Sequence, residues 1–312
     1  MTAENSAIAP VRVAIPARRG RDRAGLLLAA AGVTAFSLTF PATVWAMDGL
    51  GPWTVTTART VLAALIAGCC LTVARVPLPA RRHWPGLALV AAGCVAGFPL
   101  LTTLALQTSG TAHAAVVVGL LPLTTAGYAA ARTGHRPAPA FWGAAAAGAA
   151  VVLAFAIHQS GGAPTAGDLY LFAALLICAA GYGEGARLAG LMPGWQVISW
   201  GLAGCLPLAV PGLAIALLAE PARLTGQTAA GLLWLATGSS LLGMVVWYRG
   251  LARAGVARAS QLQLAQPLLT VVWSVALLGE PLSPAAPVAA VAVLACIAVT
   301  QRAHGAGRAG RP

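Results

Sequence analysis

The sequence predicts an all-α integral membrane protein of ten transmembrane helices, laid out as two inverted five-helix repeats. Three observations carry this. Of 312 residues 59% are hydrophobic and only 8% charged, with a mean hydropathy of +0.81, too much apolar surface for one water-soluble core. Apolar runs of about 18 to 24 residues, each long enough to cross about 30 Å of hydrocarbon as helix, recur ten times. Finally, the stretch Ala259 to Pro281 repeats the stretch Ala114 to Arg136 at a shift of 145 residues. Between 106–140 and 251–285, 11 of 35 positions are identical, including Gly110/Gly255, Pro122/Pro267, Thr125/Thr270, Gly134/Gly279 and Pro139/Pro284.

Residues 1–23 form a polar, basic tail; the apolar run behind it has no small-residue cleavage site, so it is a first span and not a removed signal. The first repeat, 24–157, holds spans at 24–46, 53–73, 84–106, 112–131 and 140–157. The second, 168–301, holds spans at 168–189, 195–218, 227–249, 258–278 and 284–301, and 302–312 is a short tail. Turns separate them, at Asp48 to Pro52, Gln159 to Gly162 and Gly279 to Pro284. The fifth and tenth spans are alanine-rich, which lets neighbouring backbones approach closely. Trp45, Trp53, Trp84, Trp142, Trp195 and Trp247 fall near span ends, as interfacial anchors do.

All 19 basic residues are arginine, giving a net charge of +12. They are scattered through short gaps with no interleaved aromatics, which excludes a nucleic-acid groove. With the N-terminus inside, 17 arginines lie on the cytoplasmic side and only Arg223 outside, with Arg59 within a span. Asp48, Asp168, Glu220 and Glu280 then all fall outside. Both termini are expected in the cytoplasm, and five spans per repeat force the two halves into opposite orientations. The six cysteines sit in apolar runs with no metal-ligand spacing and read as packing residues; no metal or cofactor is expected.

Pro122 and Pro267 each fall midway along a span, where a proline bends the helix and frees a carbonyl that must find a partner in protein or a wet cavity. They are the hinge candidates. Gln263, Gln266 and Thr270 share one face of the ninth span, with Trp273 further along it, and Thr125 and Tyr128 take comparable places on the fourth. This polar stripe at the midplane is the candidate substrate site; interhelical hydrogen bonding alone is the other reading of the glutamines. Arg59 lies about 9 Å below Trp53, open to three roles: binding an anionic substrate, pairing with a carboxylate, or snorkelling. Glu184, with Arg187 three residues on, is a gate, a proton site or a tethered pair near the interface. Glu280 is expected to end its span and shape the turn, and His113 to be a solvated residue at a loop edge.

The stretch from Tyr248 to Ser260, then Pro267 and Leu278-Gly-Glu280, resembles the drug/metabolite transporter superfamily, EamA type. So does Gly181-Tyr-Gly-Glu-Gly-Ala-Arg187 followed by Gly194 to Trp200. The first repeat departs from the pattern, with His135 where the second has Glu280. The resemblance implies a central cavity and alternating access, and export by proton exchange rests on it alone. The expectation is an inner-membrane secondary transporter of a small organic solute such as a metabolite, amino-acid-like compound or drug, working as monomer or homodimer. An integral-membrane scaffold or a lipid-modifying enzyme is the alternative; the enzyme lacks any visible acid/base pair or metal cluster within a span. No Walker motif is present to couple ATP.

Overall fold

A computed structural model describes residues 23–133, 139–159, 165–254, 262, 265–281 and 283–296. The described residues are almost entirely helical, and seven helices are long and apolar enough to cross a membrane. These are α1 (Arg23–Met47), α2 (Pro52–Val73), α3 (Arg81–Ala105), α4 (Thr111–Arg132), α6 (Ala166–Ala189), α7 (Gly194–Ala219) and α8 (Gly226–Trp247). The helix α5 spans Pro139–Gln159, and two shorter apolar helices follow, α9 (Gln266–Leu278) and α10 (Ala285–Cys296). The chain is a multi-pass membrane protein.

Hydroxyls inside the helices return their protons to the preceding turn, which is how threonine and serine are tolerated away from water. Thr43 donates to the Thr39 carbonyl, Thr60 to Thr56, Thr102 to Phe98 and Ser274 to Thr270, each at 2.8 Å. Two helices are wound more widely in their middles, α3 over Ala91–Gly97 and α8 over Trp234–Gly243. A π segment loosens the ladder and frees polar groups, and such segments gather at functional sites. In α8 the Ser240 hydroxyl spans the wider turn to the Leu235 carbonyl, 2.8 Å away.

Helix α1 is interrupted at Leu38. Pro41 has no N–H to offer the Ser37 carbonyl one turn back, so that oxygen needs another donor. Thr270 on α9 supplies it at 3.0 Å, and the Trp273 indole N–H donates to the Ser37 hydroxyl at 2.9 Å. The sequence feature that breaks α1 thereby ties it to α9.

At one end the connections interlock. Leu50, between α1 and α2, pairs with Ala222, between α7 and α8, and Arg223 N–H donates to the Gly49 carbonyl at 2.7 Å. Gly49 is required here, because a Cβ there would collide with the Arg223 carbonyl oxygen. This end carries Asp48, Asp168, Glu220 and Glu280 and is called the acidic end below; Arg75, Arg81, Arg132 and Arg187 mark the arginine-rich end. The interior is built of small and branched apolar side chains, with the largest cluster joining α4, α6 and α10. Trp247 departs from the anchoring role expected of it: it is buried, packed edge-on at 6.4 Å against Phe36 of α1.

Candidate functional site

Between the two ends lies a cavity of about 140 Å³, lined from α1, α2, α3, α4, α6, α7, α8, α9 and α10. Both irregular segments reach it, through Cys94 and Val95 of α3 and Ser239 and Ser240 of α8. Pro122 and Pro267 line it too, as does Val118, whose carbonyl Pro122 leaves without its helical donor. Its polar wall includes Arg59, Thr39, Thr60, Ser239, Ser240, Gln266 and Thr270, with Thr39 and Ser239 hydroxyls 2.8 Å apart; Phe36, Phe40 and Phe98 form apolar walls.

The residues singled out from the sequence divide into three groups. Gln266, Thr270, Pro122, Pro267 and Arg59 are brought together around the cavity. Trp273, Thr125 and Tyr128 are not among its lining. Trp273 instead ties α9 to α1, Tyr128 packs at Gly183 of α6, and the Thr125 hydroxyl is buried without a hydrogen-bond partner among the described residues. Gln263 and His135 lie outside the described residues.

Arg59 does not snorkel. It is 7% exposed, and a guanidinium N–H donates to the Ser240 hydroxyl at 3.0 Å. Among the described residues no carboxylate lies within ion-pair distance of it. Glu184 is likewise more deeply placed than a surface tether: it is 3% exposed, bonded to Arg187 at 2.7 Å and joined by Arg132 of α4 at 3.5 Å. This carboxylate links α4 to α6 at the arginine-rich end.

His113 corrects the solvated expectation. It is 6% exposed, stacked at 5.3 Å on Phe155 and bonded at 2.6 Å to Asp168, which is fully buried. Asp168 also closes a capping box with Thr165 at the start of α6. The spacing of the box is visible in sequence; the histidine 55 positions away is not.

Two further carboxylates at this end have a role that sequence reasoning missed. Gly279 takes a left-handed φ of 65° after α9, open to glycine without strain, and the turn sets Glu280 over the start of α4. Its oxygens accept the Thr111 N–H at 2.9 Å and the Ala112 N–H at 3.3 Å. Glu220, at the end of α7, accepts the N–H groups of Trp53 and Thr54 at 3.2 and 2.8 Å and the Thr54 hydroxyl at 2.8 Å. Each satisfies orphan donors at another helix's positive N-terminus.

A family model described as the EamA-like transporter family matches this chain twice, over residues 23–157 and 165–301. The chain belongs to the EamA-like transporter family. A curated relative, the uncharacterized transporter YdeK of Bacillus subtilis (strain 168), is 43% identical over 250 residues, 80% of this chain and 87% of that one. A solved crystal structure at 21% identity superposes with a TM-score of 0.64 over 90% of this chain and 99% of its own, a likeness of fold. This EamA-like chain is accordingly a membrane transporter, and its cavity draws lining residues from both matched segments.

Proposed function

We propose that this protein is an inner-membrane secondary transporter that moves a small organic solute by alternating access, with the central cavity as the substrate site. The two matched segments act as inverted five-span repeats, 24–157 and 168–301, with both termini in the cytoplasm and the acidic end outside. The observation that carries the reading is the cavity itself: a polar wall, framed by two π segments and two mid-helix prolines, at the meeting of both segments. Irregular backbone at membrane depth is tolerated where it lines such a space.

On this reading the Glu220 and Glu280 caps and the Leu50 to Ala222 pairing are the contacts that hold the acidic end shut. Alternating access requires those contacts to open, with Pro122 and Pro267 as hinges, while the arginine-rich end, where Glu184 already pairs with Arg187 and Arg132 as the inner gate, closes around that cluster. Export by proton exchange is the direction and driving force favoured here, with monomer or homodimer as the working unit. The test compares metabolites inside and outside cells expressing the native chain with cells expressing Gln266→Leu at matched membrane levels. A solute that reaches the medium only with the native chain supports export through this site, and its loss on adding a protonophore supports proton coupling. A solute drawn into cells by the native chain reverses the direction, and equal profiles for both chains across a broad metabolite panel refute the site.

A further inference from the structure

We propose that Arg59 is the anion-binding subsite of the central cavity and that the transported solute carries a carboxylate. The assignment rests on the cavity being the substrate site and names the chemistry that site selects. Arg59 lines the cavity while almost wholly buried. Its one hydrogen bond among the described residues goes to a neutral acceptor, the Ser240 hydroxyl. That hydroxyl gives its own proton to the Leu235 carbonyl, so a lone pair faces the guanidinium. The arrangement fixes the fork in place and leaves most of its five N–H donors for a ligand.

A buried charge without a counter-charge is costly, and native proteins retain one where something pairs with it. No aspartate or glutamate lines the cavity among the described residues. In this assignment the counter-charge comes from the solute, and a planar guanidinium matches a carboxylate through two parallel hydrogen bonds. An ammonium would find hydroxyls, the Gln266 amide, backbone oxygens and the faces of Phe36, Phe40 and Phe98, but no carboxylate among the described residues, and would be repelled by Arg59. The same geometry gives the rest of the ligand: Phe36, Phe40 and Phe98 offer apolar walls, and Thr39, Ser239 and Gln266 offer polar contacts. The volume is about 140 Å³, and an apolar cavity of about 150 Å³ holds one benzene ring. A small carboxylate with a compact apolar body fits.

Benzoate, benzamide and benzylamine share one ring and differ in charge, and inorganic phosphate supplies an anion without the ring. The purified full-length protein in lipid nanodiscs is titrated with each up to millimolar concentration while its thermal unfolding is followed. The native chain is expected to be stabilised by benzoate alone. Arg59→Gln should weaken the apparent benzoate affinity by about tenfold or more, the size of a lost charge-assisted bond, and Arg59→Lys should retain part of it. Without ligand, Arg59→Gln should unfold at the same temperature as the native chain or higher, because it removes an unpaired buried charge. Benzylamine or benzamide matching benzoate, phosphate matching benzoate, no benzoate effect at all, or an undiminished effect in Arg59→Gln would each overturn the assignment. So would a lower unfolding temperature of unliganded Arg59→Gln, which would make the residue a structural tie to α8. The two readings fail separately: a cationic or neutral solute moved by the native chain and lost in Gln266→Leu leaves the transport site standing and removes the carboxylate, whereas equal metabolite profiles for both chains remove the site itself.

Discussion

Glu280→Gln keeps one oxygen to face the start of α4 and loses the negative charge that two N–H groups share at 2.9 and 3.3 Å. A charge at a helix N-terminus is worth about 0.3 to 1 kcal/mol when exposed and up to about 2 kcal/mol when partly buried. Glu280 is partly buried, so about 1.4 kcal/mol is a fair central figure, equivalent to about tenfold in the ratio of closed to open acidic ends. Glu220 engages two N–H groups and a hydroxyl elsewhere and shares no partner with Glu280. The two losses should therefore add, to about a hundredfold in the double variant. Cys94 is a native reporter, since it lines the cavity. With Cys69, Cys70, Cys178, Cys205 and Cys296 replaced by alanine, whole cells are treated with a membrane-impermeant maleimide and the labelling rate of Cys94 is measured. The rate should rise about tenfold in Glu280→Gln and further in Glu220→Gln/Glu280→Gln, within the same order-of-magnitude reasoning. An unchanged rate in a correctly inserted double variant would refute the closure, and acceleration seen only in inside-out vesicles would invert the orientation.

Gly279→Ala meets no neighbour at its new Cβ and keeps only the strain of φ 65°, so it should lower stability by about 1 kcal/mol and speed Cys94 labelling less than Glu280→Gln does. Glu184→Gln leaves Arg187 and Arg132 without their shared carboxylate; because both arginines are substantially exposed, thermal unfolding should show a loss of only about 1 kcal/mol, while Cys94 labelling from inside-out vesicles rises. His113→Leu strips a buried bond from Asp168 and a stacking partner from Phe155; a loss of about 3 kcal/mol in unfolding is expected, and a change under about 1 kcal/mol would place the pair in water.

How much of this was legible beforehand depends on whether the deciding partner is local. Apolar length announced the membrane helices, and prolines at mid-run announced Pro122 and Pro267, since a missing N–H disturbs a helix wherever it folds. Both line the cavity. The Thr237-Gly-Ser-Ser240 run in the eighth span, small and polar at mid-depth, is a signal of the same kind that the sequence reading passed over, and it supplies the α8 wall. Thr270 and Trp273 share a helical stripe with Gln266, yet Thr270, at the cavity, also bonds the Ser37 carbonyl that Pro41 orphans, and Trp273 leaves the cavity for the Ser37 hydroxyl, partners more than 200 residues away. No periodicity on α9 encodes a deficit on α1. The caps by Glu220 and Glu280 were hidden for the same reason: each residue reads as the end of its own helix, and only the fold lays it on another's first turn.

The charge bias that predicts orientation also decides which end can be latched. Shifted by 145 residues, Glu220 falls on Arg75 and Glu280 on His135. A carboxylate accepts N–H donors at a helix start; an arginine there has only donors and adds positive charge to a positive end. In the proposed inverted arrangement the symmetry-related contacts at the arginine-rich end therefore lose their acceptors, and closure there falls to Glu184, a carboxylate with no counterpart in the first repeat, Arg132 and Arg187. Both sets of contacts are formed in this structure, two caps on backbone at the acidic end and one side-chain cluster at the other, so the acidic end is the more strongly latched of the two. Restoring symmetry with His135→Glu should then stabilise the opposite state and slow Cys94 labelling from inside-out vesicles. If that rate does not fall, capping by carboxylates is not what biases the two ends.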